Sequence, residues 1–418
     1  MRKEIIDKIC NSNKNLIVNG DISSGKTTNV MFPLVEEMIN NSESLFIIDS
    51  KEEYLNKYYE KLKENNYNII ILNLRDMVKS EGWNPLEYPY KLYKNGNVDE
   101  SLDYISKLAK TIYHVSENQD PFWEMSASDL FTGLVLSLFE DGKEDEINLC
   151  SINSMFNCVD KKFGSKDLVT EYFKEKDPES KAYTFASTTL LAPKETKGGI
   201  LSVARQKLRL FISRDNLNIL TNKTTFKMDD IENKKTVIFF IAKDESTSLS
   251  AMAIMFIEQL YMFLVNKKLT NKFNFILDNF DSINKSDNLI DILSSCVSRK
   301  IKLCIVTRSI EDLYAKYDKY IGKLSDVIYV DSEGIKSLEN NKFEVLESEL
   351  KSVDIPEAKI DFNESKPVEI KTFDLQKFVI NSRIKKFDLD LDIRDFNSIE
   401  DLMESIDRKI AELDSENK

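Results

Sequence analysis

The chain has 418 residues, 42% of them hydrophobic and 31% charged, with a net charge of −13 and only 11 glycines and 8 prolines. That length leaves room for two or three domains around a large core, and scarce Gly and Pro argue against long disordered linkers. Five cysteines without metal-ligand spacing and a single histidine, His114, argue against a zinc site or a histidine-based triad and for reduced thiols.

An apolar run, Leu16-Ile17-Val18, reads as the first strand. It is followed at once by Gly20-Asp21-Ile22-Ser23-Ser24-Gly25-Lys26-Thr27, which satisfies G-x-x-x-x-G-K-[ST], and then by a helical pattern from Thr27 to Ile39. In that setting the amides of Gly20, Ser23, Ser24, Gly25, Lys26, Thr27 and Thr28 are placed to wrap a polyphosphate. Lys26 reaches the β- and γ-phosphates and the Thr27 hydroxyl reaches Mg²⁺, so ATP with Mg²⁺ is the expected ligand. The plainer alternative, a Gly/Ser turn that contains a lysine, satisfies fewer of these constraints.

Further strands are expected at Leu45–Ile48, Ile69–Leu72, Val237–Ile241, Phe273–Leu277, Leu303–Val306 and Val327–Val330. Such short, nearly continuous apolar runs spaced by helical segments indicate a buried, mostly parallel sheet. From about Asp76 to Leu191 the strand pattern stops. Leu102, Ile105, Leu108, Ala109 and Ile112 recur at helical steps, and Asp120-Pro121 opens another helix running to about Glu140. The fold class expected is therefore α/β: a P-loop NTPase with a mostly parallel sheet and an inserted all-α domain. Its divisions fall at 1–75 (nucleotide-binding, first part), 76–191 (helical insertion), 192–344 (nucleotide-binding, second part) and 345–418 (acidic extension).

Asp278 ends the apolar run Phe273-Asn274-Phe275-Ile276-Leu277, the form taken by a Mg²⁺-binding aspartate at a strand end. The next residue is Asn279, which orients a water but accepts no proton at neutral pH. Asp281 lies two residues on and substitutes for it if the strand end turns. Between Val345 and Lys418 there are 19 acidic and 12 basic residues, so −7 of the excess charge lies there and the charge balance neither supports nor excludes DNA. Ser398 with Asp401 starts a last helix striped by Ile399, Leu402, Met403, Ile406, Ile410 and Leu413. Two readings of that stripe stay open: packing on the parent domain, or docking to a partner. Neither Leu130–Phe139 nor Ala251–Val265, interrupted by Glu258 and Gln259, is long and apolar enough to span a bilayer. No signal peptide precedes the first strand, and a cytoplasmic location is expected.

Taken in order, several segments resemble the type IV coupling proteins, the TraG/TraD-type ATPases of conjugative DNA transfer. Pro33 stands inside the helix after the phosphate loop, where proline ordinarily costs about 3 kcal/mol; the family carries one there. Asp49-Ser50-Lys51-Glu52-Glu53 is similar to the family's D-P-K-G-E, and Trp83-Asn84-Pro85-Leu86 to its N-P-L segment. Asp120-Pro121-Phe122-Trp123 with Ala127 resembles its F-W helix start, and Gly198-Gly199-Ile200-Leu201-Ser202 its G-G-I-L-S stretch. Thr236–Ala242 is similar to a strand of the motor core, and Asp278-Asn279-Phe280 stands at its D-E-F.

The resemblance implies a RecA-like motor domain with the all-α insertion, and hexameric rings that deliver relaxase-bound, single-stranded DNA to a secretion channel. The helical insertion would touch the relaxase or DNA. It also implies a sensor position at Arg308, where the family has glutamine, and an arginine finger at Arg299 that reaches a neighbouring subunit; an exposed surface arginine is the open alternative at 299. Family members usually begin with two transmembrane helices, absent here, so attachment to the inner face of the membrane would need a partner subunit. The departures at Asn279 and Arg308 leave open a nucleotide-switched docking protein with weak or no hydrolysis. An FtsK/HerA-type DNA pump is a further alternative, against which the Trp-Asn-Pro-Leu and Phe-Trp segments count.

Overall fold

The computed structural model describes residues 2–76, 79–115, 120–163, 166–241, 247–331, 334–339, 346, 347, 358, 360, 369–389, 391, 396 and 398–416. Its strands are β1 (Asn15–Asn19), β2 (Ser44–Ile48), β3 (Asn68–Asn73), β4 (Lys162–Phe163), β5 (Lys166–Asp167), β6 (Thr236–Ile241), β7 (Phe273–Leu277), β8 (Ile301–Thr307), β9 (Ser325–Asp331), β10 (Gly334–Glu339) and β11 (Leu346–Glu347). Nine of them form one sheet in the order β11-β10-β9-β1-β8-β7-β2-β6-β3. From β9 to β3 every pairing is parallel; β10 returns antiparallel to β9, and β11 to β10.

Every residue of β2, β6, β7 and β8 is buried, which is why these segments are mostly apolar on both faces rather than alternating. β9 alternates more, because its far neighbour is the edge hairpin rather than another interior strand. The seven strands expected from the apolar runs are these parallel strands, so the α/β class with a mostly parallel sheet holds. Ala242, the last residue of the expected motor-core strand, lies outside the described residues.

The chain divides into two compact units, Met1–Trp83 with Thr224–Pro367, and Asn84–Lys223 with Val368–Lys418. The first unit contains the sheet. One face of the sheet carries a continuous core in which Val18 and Ile47 meet Val30, Leu34, Met38 and Leu62 from the helices. The first helical turn after the phosphate loop, Lys26–Met31, is π-helical, and a regular α-helix runs from Phe32 to Asn40 with Pro33 in its first turn. Pro33 therefore stands where the π-helical turn passes into the α-helix, in the first turn of the latter, where its missing N–H breaks no hydrogen bond within that α-helix. Trp83 is buried, edge-on to Phe256 at 5.0 Å.

The second unit is helical apart from the short β4–β5 pair. Its central helix, Phe122–Asp141, starts where Asp120 Oδ1 accepts the Phe122 N–H at 3.0 Å. Helix Lys194–Ile212 packs on it: a side chain at Gly199 would run into the Trp123 indole. This packing draws residues 192–223 into the helical unit, whereas the sequence expectation closed that unit at 191. The expectation also set 345–418 apart, yet helices Leu375–Lys386 and Ile399–Glu416 belong to the same unit. There Phe378 meets Tyr172 at 5.8 Å and Arg383 pairs with Glu171 at 2.7 Å. Ser398 caps the last helix through the Asp401 N–H at 3.0 Å, and Leu402, Met403 and Ile406 are buried, which favours packing over docking for that stripe. Most of 345–368 lies outside the described residues.

Candidate nucleotide site

In a parallel sheet the residues that follow each strand emerge on one edge. Gly20 leaves β1, Asp49 leaves β2, Asp278 leaves β7 and Thr307 ends β8, and at this edge lies a cleft of about 740 Å³ lined by Ser24, Lys26, Asp49, Tyr54, Asp278 and Arg308. Gly20 donates to the Thr307 carbonyl at 3.2 Å, and a Cβ added there would fall on the Val330 carbonyl oxygen and within 2.7 Å of Ser24 Oγ. Only glycine fits this approach. Ser23 and Gly25 adopt left-handed backbone (φ 64° and 83°), which curls the loop back over its own amides.

Lys26 Nζ donates to the carbonyls of Gly20 and, at 2.8 Å, Asp21. Burial lowers its pKa, while the carboxylates of Asp278, Asp281 and Asp21 act in the opposite direction. Thr28 Oγ1 donates to the Gly25 carbonyl at 3.4 Å. Ser24 Oγ is buried without a hydrogen-bond partner among the described residues. A buried hydroxyl left unsatisfied is costly unless something else pairs with it. This orphan, the glycine-only approach and the curled loop fit a polyphosphate.

Asp278 accepts three hydrogen bonds. The Asn279 N–H donates to Oδ1 at 2.8 Å, and Oδ2 takes Thr27 Oγ1 at 3.1 Å and the Tyr54 hydroxyl at 2.7 Å. Thr27 and Asp278, expected as the metal pair, are thus brought together across 251 residues of chain. Asn279 is left-handed (φ 52°, ψ 43°), so the chain turns sharply after β7. That turn carries Asp281 back over the end of β8, where Oδ1 accepts Thr307 Oγ1 at 2.5 Å and Oδ2 accepts the Arg308 N–H at 2.7 Å, with Arg308 Nε at 3.4 Å. Arg308 is about half exposed. Arg299 is not brought here: it sits in the turn Val297–Arg299 that precedes β8, at the opposite edge of the sheet, and is exposed.

Asp49 and Tyr54 are among the cleft residues not singled out as site residues by sequence. Asp49 is buried; its Oδ1 and Oδ2 accept the N–H groups of Glu53 and Leu55, each at 2.8 Å, which starts helix Glu53–Glu64. Burial pushes its carboxyl up to about 7, against the pull of those two amides. Tyr54 lies between the two amides. The segment Asp49–Glu53 was legible only as part of the family likeness, and nothing local marks Tyr54.

The family model for type IV secretory system conjugative DNA transfer matches residues 8–325. The chain belongs to this family. Solved structures similar to this conjugative DNA-transfer protein include the bacterial conjugative coupling protein TrwBdeltaN70 in complex with sulphate, at 13% identity and TM-score 0.55. Plasmid coupling protein TrwB in complex with the ATP analogue ADPNP, and in complex with ADP and Mg²⁺, are similar at 14% identity and TM-score 0.55. All three cover 76% of this chain and 70% of their own. At such identity the likeness establishes the shared P-loop NTPase fold. No curated sequence matches the chain. No helix of this family member among the described residues is long and apolar enough to cross a membrane.

Proposed function

We propose that this chain is the ATP-binding coupling component of a conjugative DNA-transfer machine, a homo-hexameric ring that presents or pumps relaxase-bound single-stranded DNA. The observation that carries the reading is a complete phosphate loop facing Asp278 across one cleft, with Thr27 Oγ1 3.1 Å from Asp278 Oδ2, in a chain of the conjugative DNA-transfer family. The similar TrwB structures with ADPNP and with ADP and Mg²⁺ support the choice of ligand.

Lys26 and the loop amides from Gly20 to Thr28 hold the phosphates, and the Thr27 hydroxyl and Asp278 hold Mg²⁺. A bound Mg²⁺ supplies charge neutralisation on the phosphate oxygens. Asn279 or Asp281 positions the attacking water; Asp281 is held by the Thr307 hydroxyl and by the N–H and Nε of Arg308, so it accepts a proton once those contacts open. Arg308 is the arginine that the chain brings to its own cleft, beside Lys26. Arg299, at the far edge of the sheet, serves a neighbouring subunit's cleft if it acts as a finger at all. A relaxase, a secretion channel and a membrane-anchor subunit at the inner face of the membrane complete the set of partners.

A second reading, a nucleotide-switched docking protein, is favoured by the combination of Asn279 with an Asp281 already clasped by Thr307 and Arg308. ATP turnover with and without single-stranded DNA separates the two, comparing the parent with Lys26→Ala and Asn279→Glu. DNA-stimulated turnover that disappears in Lys26→Ala supports the motor. A parent that binds ATP without turnover, while Asn279→Glu gains it, supports the switch; ATP binding with no response to DNA in any variant sinks the DNA role.

A further inference from the structure

We infer that Tyr54 is a positioning residue for the metal-binding carboxylate, an inference that rests on the assignment of Thr27 and Asp278 to Mg²⁺. Asp278 has two oxygens with unequal surroundings. Oδ1 is held by the N–H of the next residue, Asn279, at 2.8 Å, a local contact that fixes one end of the carboxylate. Oδ2 receives two hydroxyls, Thr27 Oγ1 at 3.1 Å and Tyr54 at 2.7 Å. A hydroxyl that ligates a cation turns its lone pairs, not its proton, toward it. Thr27 keeps its proton for Oδ2 while it ligates Mg²⁺, but it is then itself a ligand of the metal, and Tyr54 is the hydroxyl that orients that oxygen from outside the metal's ligand set.

Tyr54 is built for this task. Its side chain is 1% exposed, edge-on to Phe32 with ring centroids 5.2 Å apart. The N–H groups on either side of it, those of Glu53 and Leu55, both donate to Asp49, so the backbone at residue 54 is pinned at the start of its helix. A side chain packed on one ring and pinned at its own backbone delivers its hydroxyl to one place. Tyr54 thereby ties the tip of β2 to the tip of β7 through Asp278, 224 residues away in sequence. Outer partners that orient a metal's ligands control affinity for the metal more than affinity for the rest of the ligand.

Tyr58 supplies the control. It lies one turn further along the same helix, is equally buried, packs on the same Phe32 ring and donates its hydroxyl at 2.7 Å to the Phe32 carbonyl, away from the carboxylate. Binding of a fluorescent ADP analogue is titrated with Mg²⁺ in the parent chain, Tyr54→Phe and Tyr58→Phe. Tyr54→Phe keeps the ring and its packing, and is expected to raise the Mg²⁺ half-saturation on the order of 10-fold, with metal-free affinity for the analogue near that of the parent. Tyr58→Phe is expected to match the parent in both. A Tyr54→Phe protein with the parent's Mg²⁺ half-saturation overturns the inference, as does an equal shift in Tyr58→Phe, which would mark a general loosening of the helix. A parent that binds the analogue but does not respond to Mg²⁺ overturns the metal assignment itself, and the inference with it.

Discussion

Replacing Asp49 by Asn should change how the stability of the nucleotide-binding unit depends on pH. Burial lifts the Asp49 carboxyl from its ordinary 3.8 to about 7. Because the folded pKa lies above the unfolded one, the folded state binds the extra proton between these values, and stability falls as pH rises through that window. Taken over the whole window the loss is about 4 kcal/mol, at about 1.4 kcal/mol per pH unit; between pH 5 and pH 8 it is about 2.5 kcal/mol. An asparagine removes this slope but has one acceptor oxygen where the carboxylate has two. It cannot satisfy both the Glu53 and Leu55 N–H groups, and one unpaired buried amide costs about 1–3 kcal/mol. Asp49→Asn should therefore be less stable than the parent at pH 5 and close the gap, or overtake it, by pH 8. Trp83, buried in this unit, and Trp123, in the helical unit, are the only tryptophans. In a Trp123→Phe background, urea unfolding followed by tryptophan fluorescence thus reports the unit that contains Asp49. Parent and variant curves that keep a constant separation from pH 5 to pH 8 would refute a raised Asp49 carboxyl.

Gly20→Ala should weaken the loop itself, since its Cβ falls on the Val330 carbonyl and near Ser24 Oγ. A cost of about 1–3 kcal/mol is expected from such overpacking, read as a lower melting temperature together with lost binding of an ATP analogue. An alanine variant that binds as the parent does would mean that the loop has room that the geometry denies. Asp281→Asn retains an oxygen for Thr307 or Arg308 but no longer accepts a proton. If Asp281 is the base, ATP turnover should fall on the order of 100-fold while affinity for the nucleotide stays within a few-fold of the parent; unchanged turnover would remove Asp281 from the chemistry.

The parallel strands could be read from sequence because burial on both faces forces continuous apolar runs such as Val237–Ile241, and a run of that kind needs no distant partner to be seen. The phosphate loop was legible for a related reason: its glycines, Lys26 and Thr27 answer to one local turn. The limits of the helical unit were not, because helix Lys194–Ile212 joins it through the Gly199–Trp123 contact, and the last helices through pairs such as Arg383 with Glu171. Tyr54 was invisible for the same reason, its partner being fixed only by the pairing of β2 with β7.

The strand ends show where local reading stops. Once β1, β2, β7 and β8 are known to be parallel, Gly20, Asp49, Asp278 and Thr307 must share one edge, and Arg299, which precedes β8, must lie at the other. That step needs only strand direction. Which carboxylate faces the nucleotide beyond Asp278 is a different matter. It depends on the left-handed turn at Asn279, a conformation that asparagine tolerates better than glutamate does. The residue that removes the usual acid from position 279 is also one suited to the turn that brings Asp281 to Thr307 and Arg308. Loss of one carboxylate and delivery of another are, in this chain, two consequences of the left-handed asparagine at 279, and Asn279→Glu strains that turn as well as restoring a carboxylate.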